Sequence, residues 1–248
     1  MIDAHCHLDC QNLISQTELL KFWNENHYNL FISSISAIKD LAISIPGIKT
    51  LYTAGLHPYV YFEHLPDFDL SDIEEFIKNK QIVGIGECGL DKRYQNMEEQ
   101  IKLLLPQLDI ASQYDVPVVF HCVKAYYELA KILKNNFPKI RGILHGFTGN
   151  QEIIEIYKGF DIYISISSRQ FWPVIHEKTL LHIIQTERYV FESDIEIHLC
   201  NQMQDIVTKY EQISQICDWI CEQNSLISFE KLQQIQSRNI AYLFKIQI

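Results

Sequence analysis

Ile82-Val83-Gly84-Ile85-Gly86-Glu87 is apolar or glycine up to its last position, where it stops on a carboxylate. A strand with one wet face alternates apolar and polar residues, whereas a parallel strand covered on both faces reads as a continuous apolar run. Val116-Pro117-Val118-Val119-Phe120 has the same character and runs into His121. Parallel strands need crossover connections, usually helical, so these two segments predict an α/β fold.

Working outward, eight such runs recur: Met1–His7, Leu30–Ser36, Thr50–Gly55, Ile82–Glu87, Pro117–His121, Gly142–His145, Ile162–Ser167 and Tyr189–Glu192. Between them, in Met97–Tyr114, Ala125–Asn136 and Lys178–Thr186, apolar residues return every three or four positions, the helical period. Gly55 follows Ser36 by only 19 positions, so the second helix, near Ala37–Ser44, is expected to be short. After the eighth run Met203, Ile206, Val207, Tyr210, Ile213, Cys217 and Ile220 form one apolar stripe, and Ser228 is placed to cap a last helix through Phe244. Eight strand–helix units predict a (β/α)8 TIM barrel with an extra C-terminal helix; an open doubly wound sheet has the same alternation and is the alternative. With 248 residues and no low-complexity tract or Pro/Gly-rich linker, residues 1–248 are read as a single domain.

The formal charge of −10, from 21 Lys+Arg against 31 Asp+Glu, lacks the general attraction that stable DNA binders use. A stably bound nucleic-acid partner is therefore not expected, while a phosphodiester that visits a metal-lined pocket is still allowed. Seven cysteines without a C-x-x-C pattern fit a reducing compartment. Cys6, Cys88 and Cys122 neighbour candidate ligands, but alternation turns them to the other face, as small buried hydrophobes. No basic-then-apolar leader opens the sequence, and no run approaches the roughly 18 apolar residues of a membrane span, so a cytoplasmic protein with no membrane partner is expected.

The chemistry sits at the ends of the runs. His5 and His7 are two apart in an extended strand and so project to one face, a half-site for a divalent metal. Glu87, His121, His145 and Asp194 each end or follow another run. In a barrel, residues at strand carboxyl ends converge on one mouth, which is where barrel active sites lie. Glu87 follows Gly84-Ile85-Gly86, where bare backbone admits close approach, and a carboxylate, unlike an imidazole, can bridge two ions; an ion pair with Lys92 or Arg93 is the bland alternative. Asp194 can both bind an ion and take a proton from an attacking water. Glu192 shares its parity and is read as a support for a ligand or a substrate-side group, with a structural ion pair as the alternative. His57, in Gly55-Leu56-His57-Pro58, is a candidate pocket wall or phosphate contact. His27, His64, His176, His182 and His198 fall in helices or loops and are read as structural.

These segments, together with His5-Cys6-His7-Leu8-Asp9, Gly84–Asp91, His145-Gly146-Phe147-Thr148-Gly149, Glu192-Ser193-Asp194 and Arg238-Asn239, resemble the TatD family of metal-dependent deoxyribonucleases, in order and across nearly the whole chain. The resemblance implies an amidohydrolase-type TIM barrel with up to two divalent ions. His5, His7, Glu87 and Asp194 would hold one ion, and Glu87, His121 and His145 the second. Glu87 and Asp194 would be catalytic, and the reaction would be hydrolysis of DNA phosphodiester bonds, often from an end. The sequence departs from the family at His121-Cys122-Val123-Lys124, where His-x-Arg is usual, leaving Lys124 as a point-charge substrate contact in place of a bidentate one. It departs again at Ile195-Glu196, where Ser-Pro usually follows the aspartate, and at Gly146 in place of a common Cys.

Mixed imidazole and carboxylate ligands suit Zn2+, Mn2+, Fe2+ or Co2+, and Mg2+ less well. Two other readings compete with the deoxyribonuclease: an amidohydrolase-type enzyme acting on a small ester, lactone or amide, and a non-catalytic metal-binding member of the scaffold. The geometry that would separate them is whether Lys124, His57 and Arg169 converge on a phosphate-sized gap above Glu87.

Overall fold

A computed structural model describes residues 1–8, 16–35, 37–42, 47–61, 66–167 and 177–248. The strands are β1 (Ile2–Cys6), β2 (Leu30–Ile35), β3 (Lys49–Ala54), β4 (Gly84–Asp91), β5 (Val118–Val123), β6 (Arg141–His145), β7 (Asp161–Ser167) and β8 (Tyr189–Glu192). They form one parallel sheet in chain order. The helices are α1 (Gln16–Glu25), α2 (Leu70–Lys78), α3 (Met97–Tyr114), α4 (Tyr126–Asn136), α5 (Gln151–Tyr157), α6 (Glu177–Gln185), α7 (Met203–Gln223) and α8 (Phe229–Phe244). The short connection after β2 is a 3-10 helix, Ile38–Ala42, and β4 runs on past Glu87 to Asp91. Ser228 caps α8 as expected, its Oγ accepting from Lys231 N–H at 3.2 Å.

Closure decides between the barrel and the open sheet. The backbone of His7 donates to Ile195 O at 2.7 Å, while Asp194 N–H donates to His5 O at 3.0 Å and Ile197 N–H to His7 O at 3.1 Å. Lower in the same seam a side chain does the joining: Gln236 of α8 donates from Nε2 to Ile2 O at 2.9 Å and to Phe191 O at 3.1 Å. Asn239, one turn on, donates to Glu187 O and Tyr189 O at 2.9 and 2.8 Å, so the Arg238-Asn239 pair ties the last helix to the start of β8.

Two apolar layers follow. Ile2, Ala4, Leu30, Ile32, Val119, Ile143 and Val190 fill the barrel, with Ile240, Leu243 and Phe244 of α8 closing its amino-terminal end. The larger layer lies between sheet and helices and contains Cys6, Cys88 and Cys122, the packing role alternation predicts for them. Ala4 and His5 are adjacent, yet the first fills the barrel and the second belongs to its mouth. The β1–β2 ladder shifts register between Asp3 and Cys6, inserting the extra residue that changes the parity. In β4 the ladder shifts again, between Ile85 and Cys88. A Cβ on Gly86 would lie 2.6 Å from Val119 O, and one on Gly89 would lie 1.8 Å from His121 O, so these glycines let β4 press against β5 beside the mouth. No described helix is long and apolar enough to cross a membrane.

Candidate active site

Glu87 stands at the centre of the carboxyl-end mouth, and its two oxygens face different partners. Oε2 lies 3.2 Å from His7 Nε2 and 3.5 Å from His5 Nε2. Oε1 lies 3.1 Å from His145 Nε2, 3.3 Å from His121 Nδ1 and 3.9 Å from His57 Nε2. Asp194 Oδ1 is 3.9 Å from His5 Nε2 and 3.8 Å from His145 Nε2. All six expected ligands are thus brought together from five strands or their ends. The ion-pair alternative for Glu87 does not form: Lys92 pairs with Glu128 at 2.7 Å and Arg93 with Asp91 at 2.6 Å.

The donor set suits a divalent cation. Ligand atoms of His5, His7 and Asp194, of His5, Glu87 and His145, and of His57, Glu87 and His121 form three groups compact enough to hold one. The groups overlap through His5 and Glu87: His145 shares Glu87 Oε1 with His121 while its ring centroid lies 4.1 Å from that of His5, and His57 joins His121. His5 Nε2 is buried without a hydrogen bond, which an electron pair aimed at a cation explains better than a proton. Its Nδ1 is 3.4 Å from Ser34 Oγ.

The electrostatics agree. Burial raises the Glu87 carboxyl, but His145 and His5 outweigh it and hold the group well below the usual carboxylate range. Burial lowers His145, and Glu192, Glu87 and Asp194 outweigh that, pushing it well above its usual value. His7 and His121 are also raised by carboxylates against the pull of burial, whereas burial wins at His5, which is lowered, and at His57, lowered to about 3. The carboxylates that favour a proton on His7, His121 and His145 would equally favour a cation in its place.

Glu192 holds the His145 ring. It is fully buried, and its Oε1 accepts from His145 Nδ1 at 3.1 Å and from Gly146 N–H at 2.9 Å. That bond keeps the Nδ1 proton in place and turns Nε2 toward Glu87. Asp194 has φ +50, a left-handed conformation that aspartate tolerates better than most residues. Ile195 beside it is buried in the core, and Glu196 pairs with His7 as a parallel bridge and favours the protonated form of that imidazole. Lys124 follows β5 with φ +55 and is exposed; it makes no ion pair with the cluster among the described residues. Arg169, His64, His176, Asp9, Ser36 and Ser44 lie outside the described residues, and His182 pairs with Glu155 at 2.5 Å on the surface.

Two carboxylates of the site were not singled out from the sequence. Asp91 Oδ2 lies 3.0 Å from His121 Nε2, so His121 is gripped from both sides. Burial raises the Asp91 carboxyl, but hydrogen bonds from His121 and Arg93 hold it far below its usual range. The signal was present, since Asp91 is four residues beyond Glu87 in one strand and shares its parity. Asp3 accepts from Ser193 N–H at 2.9 Å, Ser193 Oγ at 2.5 Å and Tyr210 Oη at 2.9 Å, anchoring the turn that presents Asp194. Fully buried, Asp3 is raised to about 7, by burial first and despite those bonds.

A sequence profile described as TatD related DNase matches residues 2–245. The 3'-5' ssDNA/RNA exonuclease TatD of Escherichia coli (strain K12) is 31% identical over 150 residues, 57% of this chain and 56% of that protein, so the chain matches little more than half the length of that relative. A protein of the same organism described as the uncharacterized metal-dependent hydrolase YjjV is 25% identical over 232 residues, 89% of each chain. The crystal structure of YjjV superimposes with a TM-score of 0.79 at 22% identity, covering 99% of this chain and 98% of that one, and so shares the fold. With the profile spanning both ends of a closed barrel whose mouth gathers four histidines, Glu87 and Asp194, the chain belongs to the family of TatD-related DNases.

Proposed function

We propose that residues 1–248 form one catalytic domain that hydrolyses phosphodiester bonds of DNA, working from an end of a single strand, with divalent cations at the Glu87 cluster. The observation that carries this reading is the division of Glu87, one oxygen toward His5 and His7 and the other toward His121 and His145. His5, His7 and Asp194 with Glu87 Oε2 would hold one ion, and His121 and His145 with Glu87 Oε1 a second; Zn2+ or Mn2+ suits these donors, and Mg2+ less well. Such ions supply Lewis-acid activation of water and neutralise phosphate charge.

The chain's own groups do the rest. Asp194, whose Oδ1 lies 3.9 and 3.8 Å from His5 and His145 at the mouth, would accept the proton of the attacking water. Glu192 and Asp91 fix the rings of His145 and His121, while His57, kept neutral, forms the wall beside Glu87. Lys124 contributes a mobile positive charge at the rim. The net charge of −10 supports a substrate that visits and leaves rather than a stable complex, and buried unpaired thiols support a reducing, cytoplasmic setting.

The test uses end-labelled single-stranded oligonucleotide with Mn2+, Zn2+ or Mg2+. Stepwise loss of terminal nucleotides that disappears in Glu87→Ala and Asp194→Asn is the expected result. Intact DNA alongside turnover of a lactone or amide panel would replace this reading with the small-molecule one, and metal retention without any turnover would make the chain a non-catalytic binder.

A further inference from the structure

The loop after β4 carries Lys92, Arg93 and Tyr94, none of which the reading above uses. An unbroken row of rings leads out to it from the cluster. The centroids of His121 and His57 are 4.2 Å apart, those of His57 and Tyr59 are 4.1 Å apart, and those of Tyr59 and Tyr94 are 4.4 Å apart. Arg93 lies over the Tyr59 ring, 5.8 Å from its centroid.

We propose that Arg93, Tyr94 and Tyr59 form a nucleotide subsite beside the metal-type cluster. In it the Arg93 guanidinium engages the phosphate next to the scissile one, and the Tyr94 ring stacks on the attached base. The proposal rests on the nuclease reading above and says where the strand lies.

Arg93 is built in rather than loose. Its Nε is 3.1 and 3.0 Å from the two Asp91 oxygens and its Nη2 is 2.6 Å from Oδ2, while Nη2 also donates to Tyr59 Oη. Tyr59 in turn donates to Asp91 Oδ2 at 3.1 Å. Asp91 is completely buried and the Arg93 side chain is 51% exposed, so the carboxylate anchors one edge of a guanidinium that still meets solvent. Of its five N–H donors, the two on Nη1 find no hydrogen bond among the described residues, which leaves a donor pair for a phosphate oxygen. A fixed planar cation suits a chain of net charge −10 whose His121-Cys122-Val123-Lys124 segment offers only the exposed point charge of Lys124. Tyr94 and Tyr59 are each half-buried, and tyrosine faces stack any base, so the subsite grips single strands without reading their sequence.

The experiment compares two phosphodiesters on metal-loaded enzyme: a short single-stranded oligonucleotide, and methyl p-nitrophenyl phosphate, which has neither a base nor a second phosphate. Tyr94→Ala should raise KM for the oligonucleotide by about five- to a hundredfold, the usual range for one lost stack, while Tyr94→Phe leaves it unchanged. Arg93→Gln should raise the same KM and flatten its dependence on log salt by about one unit. Tyr94→Ala, which leaves the Asp91–His121 bond in place, should hydrolyse methyl p-nitrophenyl phosphate within about twofold of wild type, and Arg93→Gln, which also loosens Asp91, should lose more on the oligonucleotide than on methyl p-nitrophenyl phosphate. Fluorescence anisotropy of labelled oligo(dT) on metal-free protein in chelator gives a readout independent of turnover, and Tyr94→Ala and Arg93→Gln should weaken that binding by similar factors. Equal losses on both substrates would mean that the residues act through Asp91 on His121, and an unchanged oligonucleotide KM would mean that the strand lies elsewhere; either overturns the subsite. If wild type cleaves neither substrate, the nuclease reading fails, and anisotropy alone decides the subsite: weakened binding supports it and unchanged binding overturns it.

Discussion

Replacing Glu192 isolates the contribution of a buried carboxylate that touches no candidate cation itself. Glu192→Ala removes the acceptor of two bonds, from His145 Nδ1 at 3.1 Å and Gly146 N–H at 2.9 Å. A hydrogen bond to a charged group contributes about 1.5–3 kcal/mol, and supporting partners of metal-bound histidines typically govern 10- to 100-fold in affinity, about 1.4–2.7 kcal/mol, so the two scales agree. Affinity for the ion on the His145 side should therefore fall about 10- to 100-fold, and affinity on the His7 side should stay put. A counter-effect has the opposite sign. After burial, Glu192 is the largest influence on His145 and raises it, so losing that carboxylate also weakens proton competition for the imidazole. The loss should consequently be largest at high pH, where protons compete least, and shrink as pH falls. Glu192→Gln keeps an oxygen that can accept from both donors and loses only the charge, so it should lie between wild type and alanine. Competition titration of Zn2+ against a chelator, with bound metal counted by elemental analysis and folding checked by circular dichroism, reads all of this. A folded Glu192→Ala protein that binds both ions as wild type does, or that loses the His7-side ion first, would refute the reasoning.

Two more perturbations test the frame. Gln236→Leu strips the donor from the buried carbonyls of Ile2 and Phe191 and, at about 1–3 kcal/mol for each unsatisfied group, should lower Tm by roughly 4–15 °C; a shift under about 2 °C would show that the seam holds without it. Asp3, raised to about 7 from its ordinary value near 3.8, favours the fold while it is protonated. That stability is complete below the unfolded value and is lost as pH rises to 7. Metal-free wild type should therefore gain about 2 kcal/mol from pH 7 to pH 5 that Asp3→Asn does not, measured as the difference between their urea-unfolding curves, and parallel curves would count against it.

The family's motifs were readable as residues in order. His5 and His7 share a face by the period of a strand, and Glu87, His121, His145 and Asp194 announce themselves as polar endings to apolar runs. The eight runs appear as eight strands, and Ser228 caps α8. Asp91 was missed because β4 was expected to stop at Glu87, four residues too early. Asp3 was missed because its partners, Ser193 and Tyr210, lie 190 and 207 positions away.

The sequence by itself determined the strand count, the alternation with helices and the six polar endings, because these follow from local periodicity and residue chemistry. Tertiary structure alone decided three things. The seam between β1 and β8 closes through Ile195, Asp194 and the amide of Gln236, joining the two ends of the sheet as no local pattern can specify. The register shifts in β1 and β4 turn His5 and Glu87 into the mouth, because a one-residue slip flips a side chain to the other face and only the neighbouring strand shows where it occurs. The pairing of each Glu87 oxygen with its own histidines depends on side chains from separate strands meeting within 3.1–3.5 Å, a distance that exists only once the barrel has closed.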